Sequence, residues 1–381
     1  MAKIKSVHFR EIVRPLKTLF ATALGRKAFL RNMLVYVTLD DGSTGVGEIP
    51  TSFSRKDETI TVMKHVLQQM RIELIGLPAD AYDERVKDFR ERFPDARMTI
   101  SGTEVALFRA SLKSMNKSEH EFFGARLGEL ETDLTIPYVP DEGPLRVWID
   151  YAVRKGFSVF KIKVSGNTDE DKRFLSLVYS LMKERIDAFR LRLDGNQGHT
   201  VKSSLDVIDF ILKKEYPVEL FEQPLEKRDL AGLRKLTEAS PFSIVLDETV
   251  ESLAELSRAI EVGACHGINV KIAKSGIGES LEMVRAARKH GLKLMIGCMT
   301  ETMVGLSTAI YCAAGSGAFD YIDVDSIHFL YHRNRHENIT IEGPRFIVGS
   351  GVRRNPIRAW SCRLSSFLVC LVCLVSLVSL L

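Results

Sequence analysis

Short apolar runs alternate with amphipathic helical patterns over most of the chain, starting near residue 134. Eight runs recur at intervals of about 21 to 32 residues, at 136–139, 157–164, 189–193, 218–221, 243–246, 267–272, 292–296 and 321–324. Parallel strands need a crossover helix between them, so this alternation predicts an α/β fold, a modified TIM barrel of the (β/α)7β type. An open doubly wound sheet is the alternative, but no glycine-rich dinucleotide fingerprint follows the first run.

The first part of the chain has another pattern, which predicts an α+β domain. Residues 3–13 and 33–39 read as strands, with a hairpin turn at Asp40-Asp41-Gly42. Helical patterns follow at 57–74, 79–92 and 101–115, the last with Ser101 as N-cap and Glu104 as its capping-box partner. Residues 18–32 show no clear period and are predicted to be a loop. The expected domains are 1–133, 134–345 and a C-terminal segment, 346–381.

The C-terminal segment ends in a predominantly apolar stretch, residues 367–381. As a helix it would span only about 22 Å, which is short of a bilayer core of roughly 30 Å. A frameshifted or extended reading frame is the favoured interpretation. A tail anchor and a segment docked on the core remain alternatives, so we expect no membrane association unless this stretch is a genuine anchor.

Composition excludes some classes of protein. A hydrophobic fraction of 45% supports a sizeable core, and 53 basic against 49 acidic residues leave no basic surface that would indicate nucleic-acid binding. The six cysteines include no CxxC pair before Cys370, which fits a reducing compartment. The N-terminus has no apolar signal-like segment, so we expect a cytoplasmic location.

Charged residues stand where the predicted strands end. Lys161 and Lys163 lie on one side of the second strand, and could alone be the lysines of a protected edge strand. Asp194, Glu222 and Asp247 end three consecutive strands and would meet at one rim, where they repel one another unless a cation lies among them. Oxygen ligands without His or Cys favour Mg²⁺ over zinc. A salt-bridged network with the lysines is the alternative.

Two lysines are predicted to face one another across this rim. Lys163 and Lys271 are four strands apart in an eight-stranded ring, which suits one base on each face of a carbon atom. A free lysine has a pKa of about 10.4, so a lysine base needs a lowered pKa. A neighbouring Mg²⁺ and Lys161 would both lower it, and Lys161 could also stabilise an enediolate oxygen.

In combination these motifs resemble the enolase superfamily, in its muconate-lactonizing subgroup, and within it the dipeptide epimerases. The resemblance covers residues 1–347 and rests on Lys161-Ile162-Lys163, residues 191–197, Glu222-Gln223-Pro224, Asp247-Glu248 and Lys271. It implies that residues 1–133 cap the barrel mouth. It also implies that Lys163 and Lys271 are the acid/base pair and that Asp194, Glu222 and Asp247 hold one Mg²⁺ per subunit.

The resemblance also implies a substrate site. In dipeptide epimerases an Asp-x-Asp after the eighth strand receives the substrate α-ammonium, and Asp323 and Asp325 match it. A helix N-cap is the alternative for this pair. An arginine of the first loop pairs with the glutamate side chain in Ala-Glu epimerases; Gly25 matches it here, with Arg26 and Lys27 beside it. The other expected substrate-binding residues are Phe20 and Cys298.

The predicted function is therefore a Mg²⁺-dependent epimerase that inverts the α-carbon of the C-terminal residue of a dipeptide. The reaction would be a two-base 1,1-proton transfer through an enediolate. A cycloisomerase or o-succinylbenzoate synthase-like enzyme is one alternative, and a non-catalytic membrane-tethered binding protein is another. We expect a small dipeptide as partner, no nucleic acid, and a homo-oligomer.

Overall fold

The N-terminal part of the protein is a three-stranded antiparallel sheet followed by helices. In a computed structural model, which describes residues 2–331, 336 and 338–349, the residues up to Val348 belong to one compact unit. The strands are β1 (Ile4–Thr22), β2 (Gly25–Leu39) and β3 (Thr44–Ile49), and the helices are α1 (Ile60–Leu74), α2 (Tyr82–Arg92), α3 (Arg97–Ser114) and α4 (Glu119–Phe122). The predicted turn joins β2 to β3. Apolar side chains of this sheet and of α1 to α3 form their own core cluster.

The predicted loop over 18–32 is wrong, because β1 and β2 continue through it as a long hairpin. Phe20 pairs with Lys27, and Thr22 pairs with Gly25 at the tip. The register shifts between Pro15 and Phe20, and this irregularity breaks the two-residue alternation that identifies a strand. Residues 20–27 at the tip of the hairpin are therefore paired strands with a tight turn, not a long loop.

The predicted N-cap at Ser101 is also wrong, because α3 begins at Arg97. The Ser101 hydroxyl donates to the Arg97 carbonyl at 2.8 Å and lies 3.0 Å from the Lys274 carbonyl. Glu104 instead accepts the backbone N–H groups of Ile277 and Gly278. Both side chains thus contact residues 274–278 of a second helix, and neither caps the start of α3.

The central sheet is parallel and has eight strands in chain order. They are β5 (Leu134–Ile136), β6 (Val159–Lys163), β7 (Arg190–Asp194), β8 (Val218–Glu222), β9 (Ser243–Leu246), β10 (Gly267–Val270), β11 (Lys293–Gly297) and β12 (Tyr321–Asp323). The helices between them are α5 (Glu142–Arg154), α6 (Thr168–Lys183), α7 (Val201–Lys213), α8 (Leu230–Ala239), α9 (Leu253–Val262), α10 (Ile272–Lys289) and α11 (Met303–Ser316). Seven helices between eight strands confirm the predicted (β/α)7β barrel.

Hydrogen bonds from the backbone and from side chains complete the barrel between its first and last strands. The Asp133 N–H donates to the Ile322 carbonyl at 3.3 Å. The Val324 N–H donates to Thr132 Oγ1 at 2.8 Å, and the Thr135 N–H donates to Asp325 Oδ2 at 2.6 Å. We call this junction the barrel seam. The seam holds the carboxylate of Asp325 against the backbone of β5 at Thr135.

A second small sheet, which the sequence pattern did not predict, is formed by β4 (Glu129–Glu131), β13 (Ile339–Glu342) and β14 (Arg345–Val348). Among the residues that the structure describes, no helix is long and apolar enough to cross a membrane. The predicted apolar stretch, 367–381, lies outside the described residues.

Candidate active site

An open cavity of about 690 Å³ lies at the carboxyl ends of the barrel strands. The tip of the β1–β2 hairpin and residues 51–54 form one wall, and the barrel strands form the other. The cavity brings together eight of the residues that the sequence singled out, namely Phe20, Lys161, Lys163, Asp247, Lys271, Cys298, Asp323 and Asp325. Asp194 and Glu222 are fully buried and contact the lysines of the cavity.

The three predicted metal ligands lie side by side, because their strands are neighbours in the sheet. Asp194 is in register with Glu222 on the adjacent strand. Asp247 follows β9, the next strand along, and is held through its N–H by the Gln223 side chain at 2.9 Å. Parallel strand order therefore gives the row of carboxylates that the sequence predicted.

Lysine side chains contact each carboxylate of this row. Lys163 donates to Asp194, while Lys161 Nζ lies 3.3 Å from Glu222 Oε2. On the far side, Lys271 Nζ lies 2.9 Å from Asp247 Oδ2 and 3.8 Å from Glu222 Oε1. Lys163 and Lys271 thus lie at opposite ends of the row, which is the arrangement that four strands of separation predicted.

Mutual charge compensation sets the ionisation of this cluster. Burial would lower the pKa of Lys161 and of Lys271, but the surrounding carboxylates outweigh it and raise both above the usual value for lysine. Burial would raise the pKa of Asp247, but Lys271 and Lys274 hold it far below its usual range. Asp194 is likewise held low, against its burial, by Lys163 and Lys161. All of these groups are therefore charged at neutral pH.

The donor set of the row fits a hard divalent cation. Asp194, Glu222 and Asp247 supply only oxygen atoms, and the buried Glu222 Oε2 accepts no hydrogen bond from the residues that the structure describes, although Lys161 Nζ lies 3.3 Å from it. With the lysines between them, these oxygens are not gathered as closely as those of a second group, Asp133, Asp323 and Asp325, whose ligand atoms lie within 4.8 Å of one another. An ion held by Asp194, Glu222 and Asp247 together would thus have to displace the lysine side chains that now contact these carboxylates.

The Asp323–Asp325 pair forms an acidic end to the cavity. Asp323 accepts a hydrogen bond from Lys161, and its buried Oδ1 has no hydrogen-bond partner among the described residues. Burial, together with the charge of Asp323, raises the pKa of Asp325 to about 6. Asp325 precedes a 3₁₀ turn but makes no side-chain capping bond to it, which disfavours the N-cap interpretation. Cys298 Sγ lies 3.9 Å from Asp325 Oδ1.

Arg26 is the one predicted substrate-binding residue that is not brought to the cavity. Its side chain is exposed and outside the cavity lining, whereas Lys27 lines the cavity. Successive side chains of a strand point to opposite faces, so only one of the two can face inward. Phe20 does line the cavity, and its ring packs edge-on against Phe329 at 5.4 Å.

Lys27 makes no ion pair with any residue that the structure describes. Its Nζ lies 3.5 Å from the Thr51 carbonyl and 5.6 Å from the centroid of the Phe53 ring. Burial lowers the pKa of Lys27 to about 8, with a small opposing contribution from Glu301. Burial, with the charge of Glu48, raises the pKa of Glu301 itself to about 8. At neutral pH Lys27 is therefore a cation in the wall of the cavity.

Lys274 also belongs to the site, although the sequence analysis did not single it out. It lies one turn after Lys271, and its Nζ is 2.8 Å from Asp247 Oδ1. The spacing of three residues at the start of a predicted helix was the signal available in the sequence. Thr135, Asn196 and Glu248 are further polar residues of the cavity lining.

Comparisons with known proteins agree with this site. The family model described as Enolase C-terminal domain-like matches residues 146–352. An aromatic dipeptide epimerase of Herpetosiphon aurantiacus is 30% identical over 332 residues, which are 86% of this chain and 91% of that protein.

Two solved structures have the same fold along nearly the whole chain. One is a substrate-liganded complex of the L-Ala-D/L-Glu epimerase from Bacillus subtilis, with a TM-score of 0.85, 25% identity, and coverage of 91% of this chain and 96% of that one. The other is a dipeptide epimerase from Enterococcus faecalis V583 complexed with Mg and the dipeptide L-Leu-L-Tyr, with a TM-score of 0.81, 25% identity, and coverage of 91% and 97%.

Proposed function

Because the chain belongs to the enolase C-terminal domain-like family, we propose that it is a Mg²⁺-dependent dipeptide epimerase. The observation that carries this proposal is the placement of Lys163 and Lys271 at opposite ends of one row of buried carboxylates, in one cavity. Two bases on opposite sides of a bound carbon can remove a proton from one face and return it to the other. The α-carbon is thereby inverted.

Asp194, Glu222 and Asp247 would hold the Mg²⁺. When bound there, the ion would neutralise the substrate carboxylate and so make the adjacent α-proton more acidic. Neutralising Asp247 and Glu222 would also remove the charges that raise the pKa of Lys271 and so bring this lysine toward the range of a general base.

The proton transfer itself is assigned to the two lysines. In one direction Lys163, as a neutral amine, removes the α-proton from its face, and Lys271, as an ammonium, donates a proton to the opposite face. In the reverse direction the two lysines exchange these roles. Lys161 lies between them, 3.3 Å from Glu222 and 3.7 Å from Asp194, and would stabilise negative charge on the substrate carboxylate in the enediolate.

The acidic end of the cavity is suited to the α-ammonium of a dipeptide. Asp323 and Asp325 line this end of the cavity, where Lys161 is the cation that contacts Asp323. A substrate ammonium would be a second cation beside this pair of carboxylates. Substrates of cycloisomerases lack such a group, and no feature of the site favours that alternative.

Lys27 supports a finer proposal about the substrate. Lys27 has no carboxylate partner in the described part of the chain, which is costly for a cation inside a cavity, and a substrate carboxylate would relieve that cost. We therefore propose that the epimerised residue has an acidic side chain, with Lys27 in the role that the sequence analysis considered for Arg26.

Incubation in D₂O with Mg²⁺ and a dipeptide library, followed by mass spectrometry, tests the function. An epimerase incorporates deuterium at the α-carbon of the second residue, first into dipeptides that end in Glu or Asp. Absence of exchange with every dipeptide would refute the proposal. The capping role of residues 1–133, the barrel bounds 134–345, the homo-oligomer and the cytoplasmic location stay predictions.

A further inference from the structure

Four charged side chains lead in a row from the cavity wall to one of the proposed metal ligands. Arg55 contacts Glu251 Oε2, Glu251 Oε1 lies 3.3 Å from Lys274 Nζ, and Lys274 Nζ lies 2.8 Å from Asp247 Oδ1. Their side chains are only 15, 6, 3 and 3% exposed, so solvent screens these contacts weakly. The charges alternate in sign, and every contact in the row is attractive.

At the metal end, Lys274 fixes the orientation of Asp247. Lys274 holds Oδ1, while Oδ2 is contacted by Lys271 at 2.9 Å. An ion that binds Oδ2 has to replace Lys271, but Lys274 can keep its contact with Oδ1. Glu251 offsets part of the positive charge of Lys274, so the carboxylate of Asp247 attracts the ion more strongly than it would beside an unpaired Lys274.

At the other end, Arg55 ties the cavity loop, residues 50–56, to the barrel. Ser52, Phe53 and Ser54 of this loop line the cavity. Asp95, Arg97, Glu58 and Glu255 also act on the charge of Arg55 from the elements around it. Within the described part of the chain, however, its one ion pair is with Glu251.

We propose that Glu251 is a positioning residue that serves both halves of the site. Through Lys274 it orients the metal ligand Asp247, and through Arg55 it holds the cavity loop against the bound dipeptide. The inference rests on the proposed function for the identity of the ion and of the substrate. It predicts that loss of the Glu251 charge impairs metal binding and loop closure together, whereas loss of Arg55 impairs loop closure alone.

Titration calorimetry with Mg²⁺ and hydrogen exchange of the loop, followed by mass spectrometry, test this inference. In Glu251→Gln we expect about tenfold weaker Mg²⁺ binding, faster exchange over residues 50–56, and a rise in dipeptide KM that exceeds the fall in kcat. In Arg55→Met we expect the faster exchange and the higher KM, with Mg²⁺ affinity within about twofold of the parent. Arg185→Met is the matched control, because Arg185 is about as buried as Arg55 and the substitution removes its ion pair with Asp150 of α5, at 2.5 Å, without altering a contact of the row.

A charge swap separates positioning from simple loss of stability. The double variant Arg55→Glu, Glu251→Arg restores the loop contact, so exchange returns toward the parent rate, while Mg²⁺ binding stays weak because Lys274 now faces an arginine. Unchanged Mg²⁺ affinity in Glu251→Gln, or unchanged loop exchange in Arg55→Met, would overturn the inference. Should Glu251→Gln not fold, Arg55→Met and the charge swap still decide it. Neither Mg²⁺ binding nor hydrogen exchange of the loop backbone needs turnover of a dipeptide. Failure of the epimerase proposal would therefore show separately, as a protein that binds Mg²⁺ but does not exchange the α-proton of any dipeptide.

Discussion

Replacement of Lys27 by methionine should change which dipeptides the enzyme accepts. Lys27 is a cation in the cavity wall, with the Phe53 ring 5.6 Å from its Nζ and no ion pair among the described residues. Burial lowers its pKa from 10.5 to about 8, which corresponds to an unfavourable free energy on the order of 2 to 3 kcal/mol for keeping the charge there. A substrate carboxylate beside Lys27 would recover most of this cost.

The expected size of the effect follows from a charge-assisted hydrogen bond. Such a bond contributes about 1.5 to 3 kcal/mol, so Lys27→Met should lower kcat/KM for a dipeptide ending in Glu by about 10-fold to 150-fold. For a dipeptide ending in Leu, kcat/KM should stay the same or rise slightly, because methionine is apolar and similar in length. The assay is α-proton exchange in D₂O with the two dipeptides in competition. Arg26→Met is the matched control, since Arg26 is exposed on the opposite face of the same strand.

The same residue predicts a pH dependence. Its pKa is lowered, so the cation is present below about pH 8 and is lost as the pH rises through that value. The ratio of kcat/KM for the Glu dipeptide to that for the Leu dipeptide should therefore fall above about pH 8, and should be flat in Lys27→Met. Equal loss for both dipeptides, or a ratio that does not change with pH in the parent enzyme, would refute the role of Lys27.

Three further predictions concern the barrel and the cap. Lys163→Ala and Lys271→Ala should each abolish epimerisation. Each variant should still exchange the α-proton of one diastereomer of the dipeptide for deuterium, and the two variants should act on opposite diastereomers; a variant that exchanges neither diastereomer would count against a two-base reaction. Asp323→Asn should raise the KM of a free dipeptide by at least about tenfold and leave that of its N-acetylated form unchanged, since only the former has an ammonium. Arg109→Met should destabilise the fold by about 3 to 5 kcal/mol in urea denaturation, because it leaves Glu119 without its ion pair at 2.7 Å; a loss below about 1 kcal/mol would contradict this.

The barrel and the positions of its charged rim residues could be predicted because both follow from local sequence. Strands buried on both faces read as apolar runs, and the first polar residue after each run marks the rim where the chemistry lies. Asp194, Glu222 and Asp247 are such residues, and the structure places them in one row. Strand order alone was enough to put Lys163 and Lys271 at opposite ends of it.

The remaining features depend on contacts between distant parts of the chain. Whether Arg26 or Lys27 faces the cavity is decided by the hairpin register, which the shift after Pro15 alters. Arg55 meets Glu251 across 196 positions, and neither residue carries a local signal of that contact. Ser101 and Glu104 show the reverse case, a local capping signal overruled by packing against α10.

The barrel seam has a consequence for how the chain reaches its native state. The edge of β5 is completed by partners that come 190 and 192 positions later, at Asp325 and Val324. β5 can pair with β6 on one side early, but during synthesis on the ribosome its other edge stays unpaired until nearly the whole barrel has emerged, and contacts of such long sequence separation form late. An unpaired parallel edge is also a template for aggregation. Asp325 thus has two roles, since the carboxylate proposed to receive the substrate ammonium also joins the last strand to the first. We therefore expect Asp325→Ala to accumulate in inclusion bodies on expression rather than as soluble, inactive enzyme.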